Sequence, residues 1–338
     1  MNRIVHKIVV TLVCIGWAMA GAGRPAEAQA TAARDPLMLV TSFGPGSIAL
    51  PLSADWKPEL LTVYESGKRP MAQFSNDRIK TGVSFLLFEN RSGTATAQGC
   101  REDSISPIVK KYGTVIYKRS DKTSKLAEGV EIATTAYTLE MDGAKGTRQR
   151  NLFAFAGNAT TCAEAHLSST VDTPEEAAQM QGALKEFHPN LAYTPAAIDL
   201  YRIGQLLFKR EPGLAVPYFK ASLNAMPADT GYSTPRRITT DQLAMALGLS
   251  GDWKGSREVA ERAVAGDPDY PMNYYNLACA DAEQGDTVNA RKHLQDAFDR
   301  RKNLVPGASM PDASKNDSIL KLKKDDAFWE FVTSLPKG

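Results

Sequence analysis

Hydrophobic and polar residues alternate in short runs over residues 36–190, and turn-forming residues separate the runs. An alternation of period two predicts β-strands with one buried face, and runs separated by turns favour antiparallel pairing. The predicted strands are Leu37–Ser42, Ser47–Pro51, Leu60–Glu65, Gly82–Glu89, Thr114–Lys118, Glu128–Leu139, Arg148–Ala156 and Thr161–Ser168.

A helix is predicted after the last of these strands. Thr173, Pro174 and Glu175 form a helix start signal. Apolar residues then recur at helical spacing, at Ala178, Met180, Leu184 and Phe187. An antiparallel sheet with one flanking helix predicts an α+β domain over residues 31–190.

From about residue 240 onward the chain repeats itself at an offset of 34 residues. The pair Gly251 and Asp252 recurs as Gly285 and Asp286, and small residues occupy corresponding positions in the two segments. A repeat of this length predicts paired helices that stack on one another. Small residues at fixed positions allow such helices to approach closely.

This repetition resembles the tetratricopeptide repeat family, whose unit is two antiparallel helices. The matching positions are Ile203, Gly204, Leu207, Ala215, Phe219, Ser222 and Pro227 in the first repeat, Leu243, Ala244, Leu247, Ser256, Ala260, Ala263 and Pro268 in the second, and Tyr274, Leu277, Ala278, Ala290, Leu294 and Ala297 in the third. The third repeat departs from the family pattern, because Asp281 stands where a large residue is usual. The resemblance implies an all-α helical-repeat domain of about three repeats over residues 195–338.

Two further segments of this domain are predicted from its pattern. The spacing from Pro227 to Pro268 exceeds one repeat by seven residues, which predicts a bulging loop at residues 228–237. The apolar residues of the segment from Asp317 to Leu335 predict one or two capping helices that cover the end of the stack.

A second resemblance concerns the first domain. The run IALPLSADW at residues 48–56 and the late helix ending in LKEF are similar to the photosystem-II-P or Mog1-like exported domains. This resemblance implies an α-β-α sandwich used as an adaptor or binding module. The alternative is an ordinary strand and turn with Trp56 packed in the core.

The amino-terminal segment has the pattern of a secretory signal. Arg3 and Lys7 precede an apolar run over residues 8–20, and small residues at Ala28 and Ala30 suit cleavage. We therefore expect a signal peptide over residues 1–28, a periplasmic or secreted protein, and no membrane span after cleavage. An uncleaved membrane anchor is the alternative, although the apolar run is short for a bilayer.

Charge argues against a nucleic-acid partner. Without residues 1–28, the basic and acidic side chains are equal in number. Proteins that bind nucleic acid generally carry clustered excess positive charge, because the release of counterions supplies much of the affinity. We therefore expect no nucleic-acid binding.

Three cysteines follow the predicted signal. In an oxidising compartment Cys100 and Cys162 could form a disulfide, and two free thiols are the alternative, because geometry decides whether a bridge forms. Cys279 lies in the run NLACA, which predicts a small buried helix residue.

Candidate catalytic residues are few. His166 follows Cys162 by four residues on a predicted strand, so a cysteine-histidine nucleophile pair is conceivable, although no third orienting group accompanies it. His293 is predicted to face solvent. Short motifs of hydrolases, phosphate-binding loops and zinc sites are not found. We therefore predict no catalytic residue, no cofactor and no metal site.

The favoured function is binding of a protein or peptide partner in the groove formed by the first helices of the repeats. The predicted contact residues are Tyr201, Gln205, Asp241, Gln242, Met245, Tyr275, Asn276 and Glu283. The Lys and Asn residues with which some family members bind a carboxyl terminus are not matched here. Docking of the groove onto the first domain is one alternative. The other is an enzymatic or ligand-binding first domain with the repeats as a docking handle.

Overall fold

The computed structural model describes residues 37–51, 54–65, 68–127, 129–140, 148–171, 173–228 and 230–336. All of them belong to one compact unit. The predicted signal peptide lies outside the described residues. No helix in the described part of the chain is long and apolar enough to cross a membrane.

Antiparallel strands form the first half of the structure. The strands are β1 (Met38–Val40), β2 (Ser47–Ala49), β3 (Lys57–Tyr64), β4 (Arg69–Asn76), β5 (Thr81–Glu89), β6 (Ile116–Lys125), β7 (Glu131–Glu140), β8 (Arg148–Gly157), β9 (Thr161–Ser169) and β10 (His188–Asn190). Seven of them pair in the order β3-β4-β5-β9-β8-β7-β6, and a small sheet pairs in the order β1-β2-β10. The predicted antiparallel sheet is therefore confirmed, with β4 as a strand that the sequence pattern did not predict.

The large sheet is covered by helices on both faces, whereas the sequence predicted a helix on one face. Helix α1 (Ala97–Tyr112) packs on the face that carries Phe153 and Phe155. Helix α2 (Pro174–Ala183) and the small sheet pack on the opposite face, against Phe85 and Leu87. Successive residues of a strand point to opposite faces, so β8 contributes to both cores.

Helix α1 is joined covalently to the sheet. Cys100 on α1 and Cys162 on β9 form a disulfide, with their Cα atoms 5.6 Å apart. The close approach is possible because residue 157 on neighbouring β8 is glycine, and a Cβ there would lie 2.4 Å from the Cys100 sulfur. The predicted pairing of the two cysteines is thus present in the structure.

The second half of the structure is helical. Its helices are α3 (Ala197–Phe208), α4 (Pro212–Ala225), α5 (Ser233–Leu249), α6 (Trp253–Gly266), α7 (Pro271–Glu283), α8 (Thr287–Asp299), α9 (Asp317–Leu320) and α10 (Asp326–Ser334). From α3 to α8, each helix packs against the next one in the chain. Helices α9 and α10 cover one end, where Ile319, Phe328 and Val332 join the core of α7 and α8.

The turn between paired helices is repeated with the same geometry. Gly251 and Gly285 both have a left-handed backbone, with φ of +88° and +75°, which glycine adopts without steric cost. The following Asp252 and Asp286 each accept a hydrogen bond from the backbone amide three residues later, at 2.9 and 3.0 Å. These N-caps explain why the pair Gly-Asp recurs at the repeat spacing.

The prediction of a bulging loop at residues 228–237 is wrong for its second half. Helix α5 begins at Ser233 and is longer than its partner α6. Pro235 lies in the first helical turn, where a missing amide is tolerated. The guanidinium of Arg236 donates to the carbonyls of Met226 and Pro227, at 3.2 and 2.9 Å, and so holds the extended helix against the end of α4.

The helical part packs directly against the small sheet. The fully buried hydroxyl of Tyr218 on α4 donates a hydrogen bond of 3.1 Å to the carbonyl of Val40 on β1. Nearby, the amide of Gly46 donates to the carbonyl of Tyr193 at 2.7 Å. The first repeat is therefore anchored through its second helix, and α3 also contacts β1 and β3.

Candidate partner-binding face

The first helices of the pairs lie on one side of the stack. Helix α5 contacts α7, and α7 contacts α9. Helices α4 and α6 pack between successive first helices, and α8 packs against α7 and α10. Small residues such as Ala244 and Ala278 are buried where the helices meet. We call the side formed by α3, α5, α7 and α9 the first-helix face.

Asp241 on α5 lies at the middle of this face. Its carboxylate accepts a hydrogen bond of 2.8 Å from the side-chain amide of Asn276 on α7. The side chain is half-buried, and burial raises the pKa of the Asp241 carboxyl to about 6, while the Asn276 hydrogen bond acts in the opposite direction. The fold therefore holds this carboxylate in an environment that disfavours its charge.

The negative charge of Asp241 affects the pKa values of groups on three neighbouring elements. Burial, and then the Asp241 charge, raise the pKa of Tyr201 on α3 and that of Cys279 on α7 to about 12 each. The same two causes raise the pKa of Tyr270, in the loop before α7. Asp241 thus faces α3, α7 and this loop together.

No basic side chain of the described residues forms an ion pair with Asp241. Arg237 lies one turn earlier on α5, but its guanidinium pairs with both oxygens of Asp267, at 2.6 and 2.9 Å. It also lies over the ring of Tyr270, 5.0 Å from the ring centre. The cation nearest to Asp241 in sequence is therefore engaged elsewhere.

One end of the first-helix face lies at α3. Gln205 donates a hydrogen bond of 2.6 Å to the hydroxyl of Tyr201, one turn away on the same helix. The Tyr201 ring is almost fully buried and lies 5.9 Å from the ring centre of Phe219 on α4. The Tyr201 ring therefore belongs to the core of the first repeat, and its hydroxyl lies at the first-helix face.

The other end lies between α7 and α9. Glu283 pairs with Lys321, just after α9, and the Cys279 sulfur lies 3.7 Å from the side-chain oxygen of Asn316, the N-cap of α9. Cys279 lies on a helix and packs against the core of α7 and α8, as predicted, but it is half-buried beside polar groups rather than fully buried. The reason is that α9 continues the row of first helices and brings Asn316 against it.

The eight predicted contact residues all lie on α3, α5 and α7. The structure brings Asp241 to Asn276 and Gln205 to Tyr201, while Gln242 and Met245 are half-buried on α5. Tyr201, Tyr275 and Asn276 are buried rather than freely exposed. That these residues contact a partner stays a prediction.

Four residues of this face were not predicted from the sequence. They are Tyr270, Cys279, Asn316 and Lys321. Cys279 could have been found, because it is one helical turn after Tyr275 and one turn before Glu283. Nothing in the repeat pattern pointed to Asn316 or Lys321, which follow the last complete repeat.

The prediction that His293 is solvated is wrong. Its Nδ1 atom lies 2.6 Å from a carboxylate oxygen of Asp281, which is fully buried and also pairs with Arg257. Asp281 therefore links α6, α7 and α8, and this explains why a polar residue replaces the large one usual at that position of the repeat.

The hypothesis of a Cys162 and His166 nucleophile pair is also wrong, because Cys162 is in the disulfide. His166 stacks on Phe153, with ring centres 4.0 Å apart, and its Nε2 atom lies 2.9 Å from the side-chain oxygen of Asn151. Burial lowers the pKa of His166 to about 4, so the ring is neutral at pH 7. Over the described ranges, no three His, Cys, Asp or Glu side chains are placed to hold a metal ion.

No protein-family model and no curated protein matches the chain. Among solved structures, the chain is similar to the Sgt2 TPR domain from Aspergillus fumigatus, with 21% identity, a TM-score of 0.31, and coverage of 43% of this chain and 87% of that one. It is also similar to a multi-domain immunophilin from Arabidopsis thaliana, with 12% identity, a TM-score of 0.28, and coverage of 73% and 99%. A structure from Bacteroides thetaiotaomicron has 13% identity, a TM-score of 0.28, and coverage of 59% and 74%. Likenesses of this degree assign neither a family nor a function.

Proposed function

We propose that this chain is an exported, non-enzymatic binding or scaffold protein of the tetratricopeptide-repeat type. Its partner, a protein or peptide, binds along the first-helix face. The observation that carries the proposal is the polar centre of that face, where Asn276 on α7 donates a hydrogen bond to the Asp241 carboxylate on α5 and the hydroxyl of Tyr201 on α3 lies within its electrostatic reach.

Polar groups in this place have no evident packing purpose. A helix stack is stabilised by apolar and small residues at its contacts, as at Ala244, Ala260 and Ala278. A half-buried carboxylate with a neutral partner destabilises the fold unless something else compensates it. Binding of a partner is the compensation that we propose.

Two features support export and a role without catalysis. A disulfide such as Cys100–Cys162 persists in oxidising compartments, in agreement with the predicted signal peptide. The neutral His166 stacks on Phe153 and binds Asn151, which is the arrangement of a structural histidine.

The proposal is tested by affinity capture from an envelope extract with three forms of the full chain. They are the wild type, a face variant with Gln242→Ala and Met245→Ala, and a control with Glu258→Ala and Arg262→Ala on the exposed side of α6. We expect the wild type and the control to retain the same protein. The face variant should bind the purified partner at least tenfold more weakly, a loss of about 1.4 kcal/mol.

Equal capture by all three forms would contradict binding along the first-helix face. If no partner is captured and His166→Ala abolishes a measured turnover, the first domain is the active part and the repeats are its docking handle.

A further inference from the structure

We infer that the first-helix face recognises a positively charged group of its partner, the ammonium or guanidinium of a basic peptide, and that Asp241 is the anchor for it. This inference rests on the proposed function and names the chemistry of the partner.

Asp241 differs from the acidic residues of the neighbouring helix in having no cationic partner in the described part of the chain. On α7, Asp281 pairs with Arg257 and His293, and Glu283 pairs with Lys321. Asp241 has the Asn276 amide as its hydrogen-bond partner and no ion pair among the described residues. Asp241 therefore gives the first-helix face a negative charge that no ion pair among the described residues neutralises.

Arg237, one helical turn before Asp241, is well placed in sequence to neutralise it. Its side chain is held away by two hydrogen bonds to Asp267 and by the ring of Tyr270. Moving this guanidinium toward Asp241 would break a bidentate pair, one of the stronger charge-assisted contacts in proteins. Arg237 therefore does not neutralise Asp241, which remains able to pair with a cation of the partner.

Two tyrosines on different elements, Tyr201 and Tyr270, lie within electrostatic reach of Asp241. Both side chains are buried, so they limit the water around the carboxylate. The attraction between Asp241 and a partner's cation is therefore weakened less than it would be in bulk water. The Asn276 amide fixes the carboxylate, which reduces the entropy lost on binding.

A buried polar group lies farther along the same face. Tyr275 on α7 is 3% exposed, and its hydroxyl makes no hydrogen bond of normal geometry to a described residue, although Asn316 is close enough to affect it. Because this hydroxyl is buried, it is not part of the anchor at Asp241.

The test is an NMR titration of the full chain with N-acetyl-arginine N-methylamide, which carries one guanidinium and no other charge. The matched probe is the citrulline analogue, which has nearly the same shape and no charge. We expect saturable binding with a dissociation constant on the order of millimolar, at least tenfold weaker for the citrulline probe. The side-chain amide signals of Asn276 should shift on binding.

Two variants complete the test. Asp241→Asn removes the charge but keeps the oxygen that accepts from Asn276, so the fold should persist while the preference for the charged probe disappears. The control Asp299→Asn removes one negative charge from the exposed side of α8 and should leave binding unchanged.

The inference is overturned if the wild type shows no saturable binding, binds both probes equally, or binds as well after Asp241→Asn. If the probes fail while capture of a protein still depends on Gln242 and Met245, the proposed function stands and the cation anchor does not. If the charged probe binds through Asp241 and no protein is captured, the anchor stands and the protein partner does not.

Discussion

The hydroxyl of Tyr218 lies 3.1 Å from the carbonyl oxygen of Val40, and both groups are buried where the helical repeats meet the small sheet. This hydrogen bond joins residues that are 178 positions apart in the chain. It fixes the two halves of the protein to each other through α4, and α3 also contacts β1 and β3. Helices α5, α7 and α9 of the first-helix face lie outside this contact.

Replacing Tyr218 with Phe should weaken the joint between the halves. The change keeps the ring but leaves the Val40 carbonyl without this donor, which lowers the free energy of unfolding by about 1–2 kcal/mol. Urea unfolding measures the loss, and Tyr64→Phe, at an exposed position on β3, is the matched control. Equal stability of the two variants would show that the hydrogen bond contributes nothing.

Removing the disulfide should destabilise the first half of the protein. The bridge closes a loop of 62 residues, and replacement of Cys100 and Cys162 by Ser should lower the free energy of unfolding by about 2–4 kcal/mol. Thermal unfolding with and without a reductant provides the measurement. The reductant should lower the melting temperature of the wild type and leave that of the double variant unchanged.

Asp241→Asn should stabilise the protein at neutral pH. Because burial raises the pKa of Asp241 to about 6 in the folded state, the wild type loses stability as pH rises from about 4 through 6. The Asn variant avoids that loss, so it should be more stable at pH 7 by roughly 2–3 kcal/mol, with the difference vanishing below about pH 4. Chemical unfolding of both forms between pH 4 and 8 provides the test, and a constant difference would refute it.

Removing Asp281 should destabilise the third repeat. Asp281→Leu leaves the partly buried Arg257 without its partner, and the expected loss is about 2–4 kcal/mol. Adding Arg257→Met should recover part of it, since two apolar side chains can pack where an isolated charge cannot. A double-mutant cycle by urea unfolding measures this coupling, and simple additivity of the two changes would exclude it.

The repeats could be predicted because the residues that define each turn act locally. Gly251 and Gly285 adopt a left-handed backbone in the turn, and Asp252 and Asp286 cap the helix that follows. Because the two turns have the same geometry, the same residue types recur at a fixed spacing. Strands β5, β8 and β9 were predicted for a similar reason, since they lie in the middle of the sheet and alternate between its two faces.

Helix α1 and much of strand β6 escaped prediction because they lack such a pattern. In α1 the buried residues are Ala97, Gly99, Cys100 and Ile105, and Pro107 lies inside the helix, so no apolar stripe is visible. Strand β6 is an edge strand whose residues after Ile116 are all exposed. Tertiary pairing, rather than hydrophobic periodicity, holds both elements in place.

The candidate site was predicted as a set of positions but not as an arrangement. The repeat register placed Asp241 and Asn276 on facing helices, yet nothing in the sequence distinguishes the unbalanced Asp241 from the paired Asp281. That distinction depends on the orientations of the Arg237 and Arg257 side chains. Each orientation is set by an acidic residue that is distant in sequence, Asp267 for Arg237 and Asp281 for Arg257.

The identical turns at Gly251 and Gly285 have a consequence for how such a chain can change. The segment between them begins and ends in the same local geometry, so its duplication or excision would add or remove one whole helix pair without creating a new junction. The spacing from Pro227 to Pro268 is seven residues longer, partly because α5 is extended, so the first pair does not have this freedom. Growth by recombination would therefore lengthen the array beyond residue 250, while the pair attached to the small sheet stayed as it is.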